Sequence, residues 1–181
     1  MILFFGPTGA GKSVQARQLA DTHGWRWIST GQLLRDSQDP AVIAQMKTGR
    51  LTDEETVNRV MSQALGALGK DDRAVMDGFP RTLEQAKWLH DFCVQNNQVI
   101  DLVVVLEVPQ EELQRRLSSR GRLDDTPESI AARLTIYNEK NKPILRYFTE
   151  HQVKVVQISG IGTIDEVNQR IEAELSEIHR Q

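Results

Sequence analysis

Residues 6–13, Gly6-Pro7-Thr8-Gly9-Ala10-Gly11-Lys12-Ser13, satisfy G-x-x-x-x-G-K-[ST] and lie between an apolar start, Met1-Ile2-Leu3-Phe4-Phe5, and a helical pattern that opens at Lys12. This spacing belongs to chains in which a buried strand turns sharply into a helix, so it constrains the fold more than any other feature here. The glycines let backbone N–H groups turn inward around a phosphate, the helix points its positive end at the same place, and a lysine neutralises charge there. The residues expected to line that cradle are Gly9, Ala10, Gly11, Lys12, Ser13 and Val14, with Ser13 able to ligate Mg²⁺ directly or through water. A glycine-rich turn without a ligand is the plainer alternative, but it gives the Lys-Ser pair no task.

Three further apolar runs, residues 74–77, 102–108 and 153–158, have the composition of strands, and the last two are nearly continuous in Val, Leu and Ile. Such runs suit a parallel sheet covered on both faces. Residues 12–22, 54–68, 83–95, 110–119, 127–150 and 164–178 carry apolar positions at mixed three- and four-residue spacing, as amphipathic helices do. With a short strand within residues 25–29, the alternation predicts an α/β fold: a P-loop, doubly wound parallel sheet of about five strands with helices on both faces. The whole chain, 1–181, is expected to form a single domain. Residues 30–59 are too many for a minimal crossover and are expected to form a helical insertion on the sheet's carboxyl edge. Asp77 closes its strand at that edge, where an acid can hold metal-bound water.

Directly after Asp77 comes Gly78-Phe79-Pro80-Arg81-Thr82, followed by Gln85, and Ser29-Thr30-Gly31-Gln32-Leu33-Leu34-Arg35 stands earlier. In these segments the chain resembles the adenylate kinase family, whose D-G-F-P-R-T-x-x-Q and S-T-G-[DE]-x-[LI]-R patterns are met almost entirely. Together with the P-loop and an arginine-rich C-terminal third, the resemblance runs over essentially the whole chain. It implies a nucleoside monophosphate kinase that moves the terminal phosphate of ATP·Mg²⁺ onto AMP to give two ADP. Residue by residue, it implies Arg35 and Arg81 at the acceptor phosphate, Thr30 and Gln85 at its adenine, and Gly78, Leu51 and Thr52 along the pocket. It also implies Arg116 and Arg120 facing ATP, Arg122 and Arg133 bracketing the transferring group, and Lys12, Arg81, Arg122 and Arg133 as the catalytic set. The chemistry agrees: a dianionic phosphate suits planar guanidinium groups, and an acceptor oxygen that is already ionised needs no general base.

Three departures stand out. Residues 120–126 form only a vestige of the lid that longer relatives insert, implying a site that excludes water less well and leaks some ATP hydrolysis. Ser13-Val14 replaces the family's Gly-Thr, shifting the hydroxyl by one position, and Gln32 replaces an acid that could hold Mg²⁺-bound water. A UMP/CMP kinase on the same frame and a slow nucleotide-binding regulator are the competing readings. Thr30 and Thr82 favour AMP over the pyrimidines, by analogy with relatives, and the intact arginine set argues against the regulator. A net charge of −3 gives no pull toward nucleic acid or anionic membrane. Cys93, the only cysteine, excludes a disulfide framework, and the apolar start ends at Gly6-Pro7 before reaching the length of a signal or spanning segment. The expectation is a cytoplasmic monomer with no nucleic-acid or membrane partner. Arg115 is assigned to the surface and Trp25 and Trp27 to packing.

Overall fold

The computed structural model describes residues 1–69, 72–120 and 126–178, the side chain of Arg120 excepted. Among these, five strands form one wholly parallel sheet: β1 (Ile2–Phe5), β2 (Arg26–Ser29), β3 (Ala74–Asp77), β4 (Leu102–Glu107) and β5 (Lys154–Ser159), in the order β2-β3-β1-β4-β5. Eight helices surround it: α1 (Lys12–His23), α2 (Thr30–Asp36), α3 (Pro40–Lys47), α4 (Glu54–Gly66), α5 (Leu83–Gln95), α6 (Gln110–Arg120), α7 (Pro127–Glu150) and α8 (Ile164–Ile178). The P-loop doubly wound class read from the sequence is therefore the observed one. Small boundary shifts have local causes. The run expected to reach residue 108 stops at Glu107 because Pro109 has no N–H with which to extend a ladder. The helix expected to reach residue 68 stops at Gly66, a poor helix former.

The period-two alternation of β1 divides the core. Leu3 and Phe5 point to one face with Met61, Leu65, Leu89 and Phe148, while Ile2 and Phe4 point to the other with Leu19, Ile171 and Leu175. Every residue of β1 is buried, as a central parallel strand requires. Each such side chain contributes about 1.5–3 kcal/mol on leaving water, so the sheet is a rigid base for what stands on its edge. Register then places the site: Phe4 pairs with Asp77, and Ser29 pairs with Asp77 on the other side. The ends of β1, β2 and β3 are thus level, and the chain leaves β1 directly into Gly6 beside Asp77.

No helix among the described residues is long and apolar enough to cross a membrane. Cys93 lies buried on α5, and burial pushes its thiol up to about 11. At pH 8 only about one molecule in a thousand would then carry the reactive thiolate. Labelling with a disulfide reagent is expected to be at least about a hundredfold slower in the folded protein than in guanidinium. A rate within tenfold of the unfolded chain's would contradict that burial.

Candidate active site

The loop between β1 and α1 is shaped by residues that only glycine can replace. Gly6 has φ 145°, and a Cβ there would stand 2.9 Å from the Leu106 carbonyl oxygen. Gly11 caps α1 at φ 97° without a side chain, leaving the helix's first N–H groups open to the cleft. Lys12 folds back beneath the loop, its Nζ donating to the carbonyls of Gly6 (2.7 Å) and Pro7 (2.8 Å). Ser13 Oγ donates to Asp77 Oδ2 at 2.5 Å, and Ser29 Oγ reaches the same oxygen at 3.2 Å.

Around this cradle α2, α5, α6 and α7 each begin or pass with a polar group turned inward. Ser29 caps α2 by accepting from Gln32 N, which sets Thr30 and Arg35 on the first turns. Thr30 is buried, with its hydroxyl on Met61 Sδ at 3.3 Å. Thr82 caps α5 by accepting from Gln85 N (3.2 Å) and donates to Glu54 on α4 (3.0 Å), tying the two helices. Gln85 Oε1 accepts from the Arg81 backbone N at 2.8 Å, and Arg81 Nε donates to the Gly78 carbonyl at 2.9 Å. On α6, Arg116 spans the P-loop and the turn after β5, donating to Ala10 O (3.4 Å) and Gly160 O (2.9 Å), with Glu112 at 2.6 Å behind it. Hydrogen bonds from Arg115 and Arg116 hold the Glu112 carboxyl down to about 2. From α7, Arg133 Nη2 donates to the Met46 carbonyl at the end of α3 (3.2 Å), closing the far side.

Most of these groups line one cleft of ≈ 710 Å³, while Glu54, Met61, Thr82 and Glu112 stand behind it. It gathers Gly9, Ala10, Gly11, Lys12, Ser13 and Val14 with Thr30, Arg35, Leu51, Thr52, Asp77, Gly78, Arg81, Gln85, Arg116 and Arg133. Arg122 and residues 121–125 of the lid vestige lie outside the described residues, as does the side chain of Arg120. The sequence reading missed the cleft-lining residues Met46, Arg50, Tyr137, Lys140, Asn141 and Gly160. For Tyr137 and Asn141 a signal existed: with Arg133 they make a polar stripe at four-residue spacing along α7, and Asn141 Nδ2 donates to Tyr137 Oη at 3.1 Å. Arg115 faces outward in its pair with Glu112, yet it reaches the rim of the cleft.

The electrostatics are one-sided. Lys12, Arg35, Arg50, Arg81, Arg115, Arg116, Arg133 and Lys140 line the cleft, and Asp77 is the one acidic residue among its described lining. The cleft walls around Arg81 press its pKa below the ordinary arginine range. Asp77 opposes this, while the like charges of Arg133 and Arg35 add to it. Arg81 is itself exposed along the cleft, so the shift reflects the protein walls standing around it and not a sealed pocket. Such a concentration of cations in a chain of net charge −3 calls for a polyanionic ligand. The Ser13 hydroxyl and Asp77 carboxylate are hard oxygen donors of the kind Mg²⁺ takes. No group of three or more His, Cys, Asp and Glu among the described residues could hold a metal unaided.

The sequence pattern named Adenylate kinase matches residues 4–153. The chain is 36% identical to the adenylate kinase of Agrobacterium fabrum over 187 residues, spanning 94% of this chain and 95% of that one. It is 37% identical to that of Thermus thermophilus over 184 residues, 96% of each. With the adenylate kinase of Salinibacter ruber it shares 34% identity over 212 residues, 99% of each.

Proposed function

The chain belongs to the adenylate kinase family and is a nucleoside monophosphate kinase; on that premise we propose how its cleft moves a phosphoryl group from ATP·Mg²⁺ to AMP, giving two ADP. The observation that carries the reading is one cleft whose described lining holds eight basic side chains and a single acid, Asp77, a surplus of positive groups suited to a nucleoside triphosphate and a monophosphate together. The donor's phosphates lie in the P-loop, cradled by Gly9, Ala10, Gly11, Lys12, Ser13 and Val14 and held from the α6 side by Arg116. The family pattern assigns Arg120 to the same phosphate chain and Arg122, with Arg133, to the transferring group.

The acceptor sits across the cleft, on the helical segment 30–59 that we propose as its binding insertion. Arg35 and Arg81 face its phosphate, offering planar forks to a dianion. Gln85 has its Oε1 committed to Arg81 N, so the amide offers Nε2 hydrogens to the base. Those hydrogens match the ring-nitrogen acceptor of adenine and meet a donor in guanine. Thr30, Leu51, Thr52 and Gly78 complete the pocket. Mg²⁺ would be held by the Ser13 hydroxyl and, through water, by Asp77, and it would supply charge neutralisation on the donor phosphates. Catalysis by the chain itself is positioning and charge stabilisation. Lys12, Arg81 and Arg133 hold the two nucleotides in line and offset charge as it spreads over the transferring oxygens. Both halves of the site come from one chain, which suits a monomer, and ATP supply with a free thiol suits the cytoplasm.

The test is to incubate the protein with ATP·Mg²⁺ and, separately, AMP, CMP, UMP or GMP, and to follow diphosphate formation by chromatography. ADP formed rapidly from AMP alone is expected. CDP or UDP as the main product would move the acceptor to the pyrimidines, and tight ATP binding without transfer would remove the catalytic reading.

A further inference from the structure

Gln32, which stands where the family pattern has an acid, is bound into a short chain of side chains on α2. Its Oε1 accepts from Arg35 Nη2 at 3.1 Å, and its Nε2 donates to Asp36 Oδ1 at 2.7 Å. The spacings are three and four residues, so one helical face carries all three groups. Arg35 is partly buried at the cleft, whereas Asp36 is exposed and turned from it. The amide thus stands between a cation that faces the acceptor site and an anion that does not.

We propose that Gln32 is a positioning residue: it aims the Arg35 guanidinium at the acceptor phosphate while leaving the charge of that group uncompensated. A neutral carbonyl fixes one edge of the fork, and the bond from Nε2 to Asp36 polarises the amide and strengthens its hold. A carboxylate at the same place would add the attraction of opposite charges to that hydrogen bond, an ion pair which an incoming phosphate would have to displace. Asp36, one residue removed, stiffens the arrangement without competing for Arg35.

The inference rests on the reading that Arg35 meets the AMP phosphate, and affinity tests it without depending on turnover. AMP binding is measured by calorimetry without ATP or Mg²⁺ for the wild type, Gln32→Ala and the near-isosteric Gln32→Glu, with ATP binding and melting temperature alongside. Loss of one orienting hydrogen bond is expected to weaken AMP binding about two- to tenfold in Gln32→Ala. The weakening should be larger in Gln32→Glu, with ATP affinity and melting temperature unchanged. In turnover both variants are expected to raise KM for AMP and leave kcat at saturating AMP within about twofold. AMP binding as tight as wild type in either variant overturns the proposal. So does a joint fall of AMP affinity, ATP affinity and melting temperature, which would mark a structural role. A wild type that binds AMP without phosphorylating it removes the catalytic reading and leaves this affinity test standing.

Discussion

Lys12→Met is expected to lower kcat by about 10²–10³-fold, equivalent to ~2.7–4 kcal/mol of barrier, the range for removing one preorganised charge-stabilising donor. The ammonium lies under the loop, on the carbonyls of Gly6 and Pro7, within the cleft where the terminal phosphate of the donor would lie. A charge held there has little reorganising to do when charge moves during transfer. Met keeps the length and apolar stem of the side chain and removes the charge, so the helix and its packing are retained. Two part-buried carbonyls lose a donor as well, and Gly6, one of the two, lines the cleft, where water can replace it. The effect should therefore fall mainly on kcat, with a smaller loss of ATP affinity and a melting temperature near wild type. Steady-state kinetics with calorimetric ATP binding separates these contributions. A kcat within tenfold of wild type would remove Lys12 from the catalytic set.

What the sequence made legible follows the range over which each feature is determined. The helices at 83–95, 127–150 and 164–178 match their observed bounds because caps and periodicity are local. Thr82 and Thr126 each accept from the third residue beyond, as N-caps do. Helix α7 runs through Pro143 because Ile144 and Phe148 are buried on the far side, which offsets a missing backbone bond. The P-loop and Asp77 were legible because their residue types are tied to backbone geometry. The register that sets Ser29 and Phe4 level with Asp77 was not, since it depends on strands far apart in the chain lying side by side. Arg133 could be assigned only by family pattern. Its contact with Met46 crosses 87 positions, and no local spacing encodes it. Gln32 is the reverse case: Arg35 and Asp36 stand at helical spacing from it in the sequence, but which end of the amide meets which neighbour is set by side-chain rotamers that spacing does not fix.

Arg133→Ala is expected to cost about 10³–10⁵-fold in kcat, or ~4–7 kcal/mol, the range associated with arginine fingers in phosphoryl transfer. Size decides between this and a structural explanation. The bond from Arg133 Nη2 to the Met46 carbonyl closes α7 onto α3, and a hydrogen bond from a charged donor contributes about 1.5–3 kcal/mol. If that contact were all that Arg133 supplied, the loss would stay below about 200-fold and would appear chiefly in KM for AMP, since α3 lies in the segment proposed to bind the acceptor. A larger loss, seen in kcat at saturating AMP and ATP, requires the guanidinium to act on the transferring group. Arg133→Lys sharpens the distinction. A point charge on a flexible stem can reach a single carbonyl but cannot offer two parallel donors to phosphate oxygens, so it should restore KM and leave most of the kcat deficit. Loss of less than tenfold in the alanine variant, with the fold intact by melting, would assign Arg133 to closing the cleft and leave charge stabilisation at the transferring group to Lys12, Arg81 and the lid-side arginines.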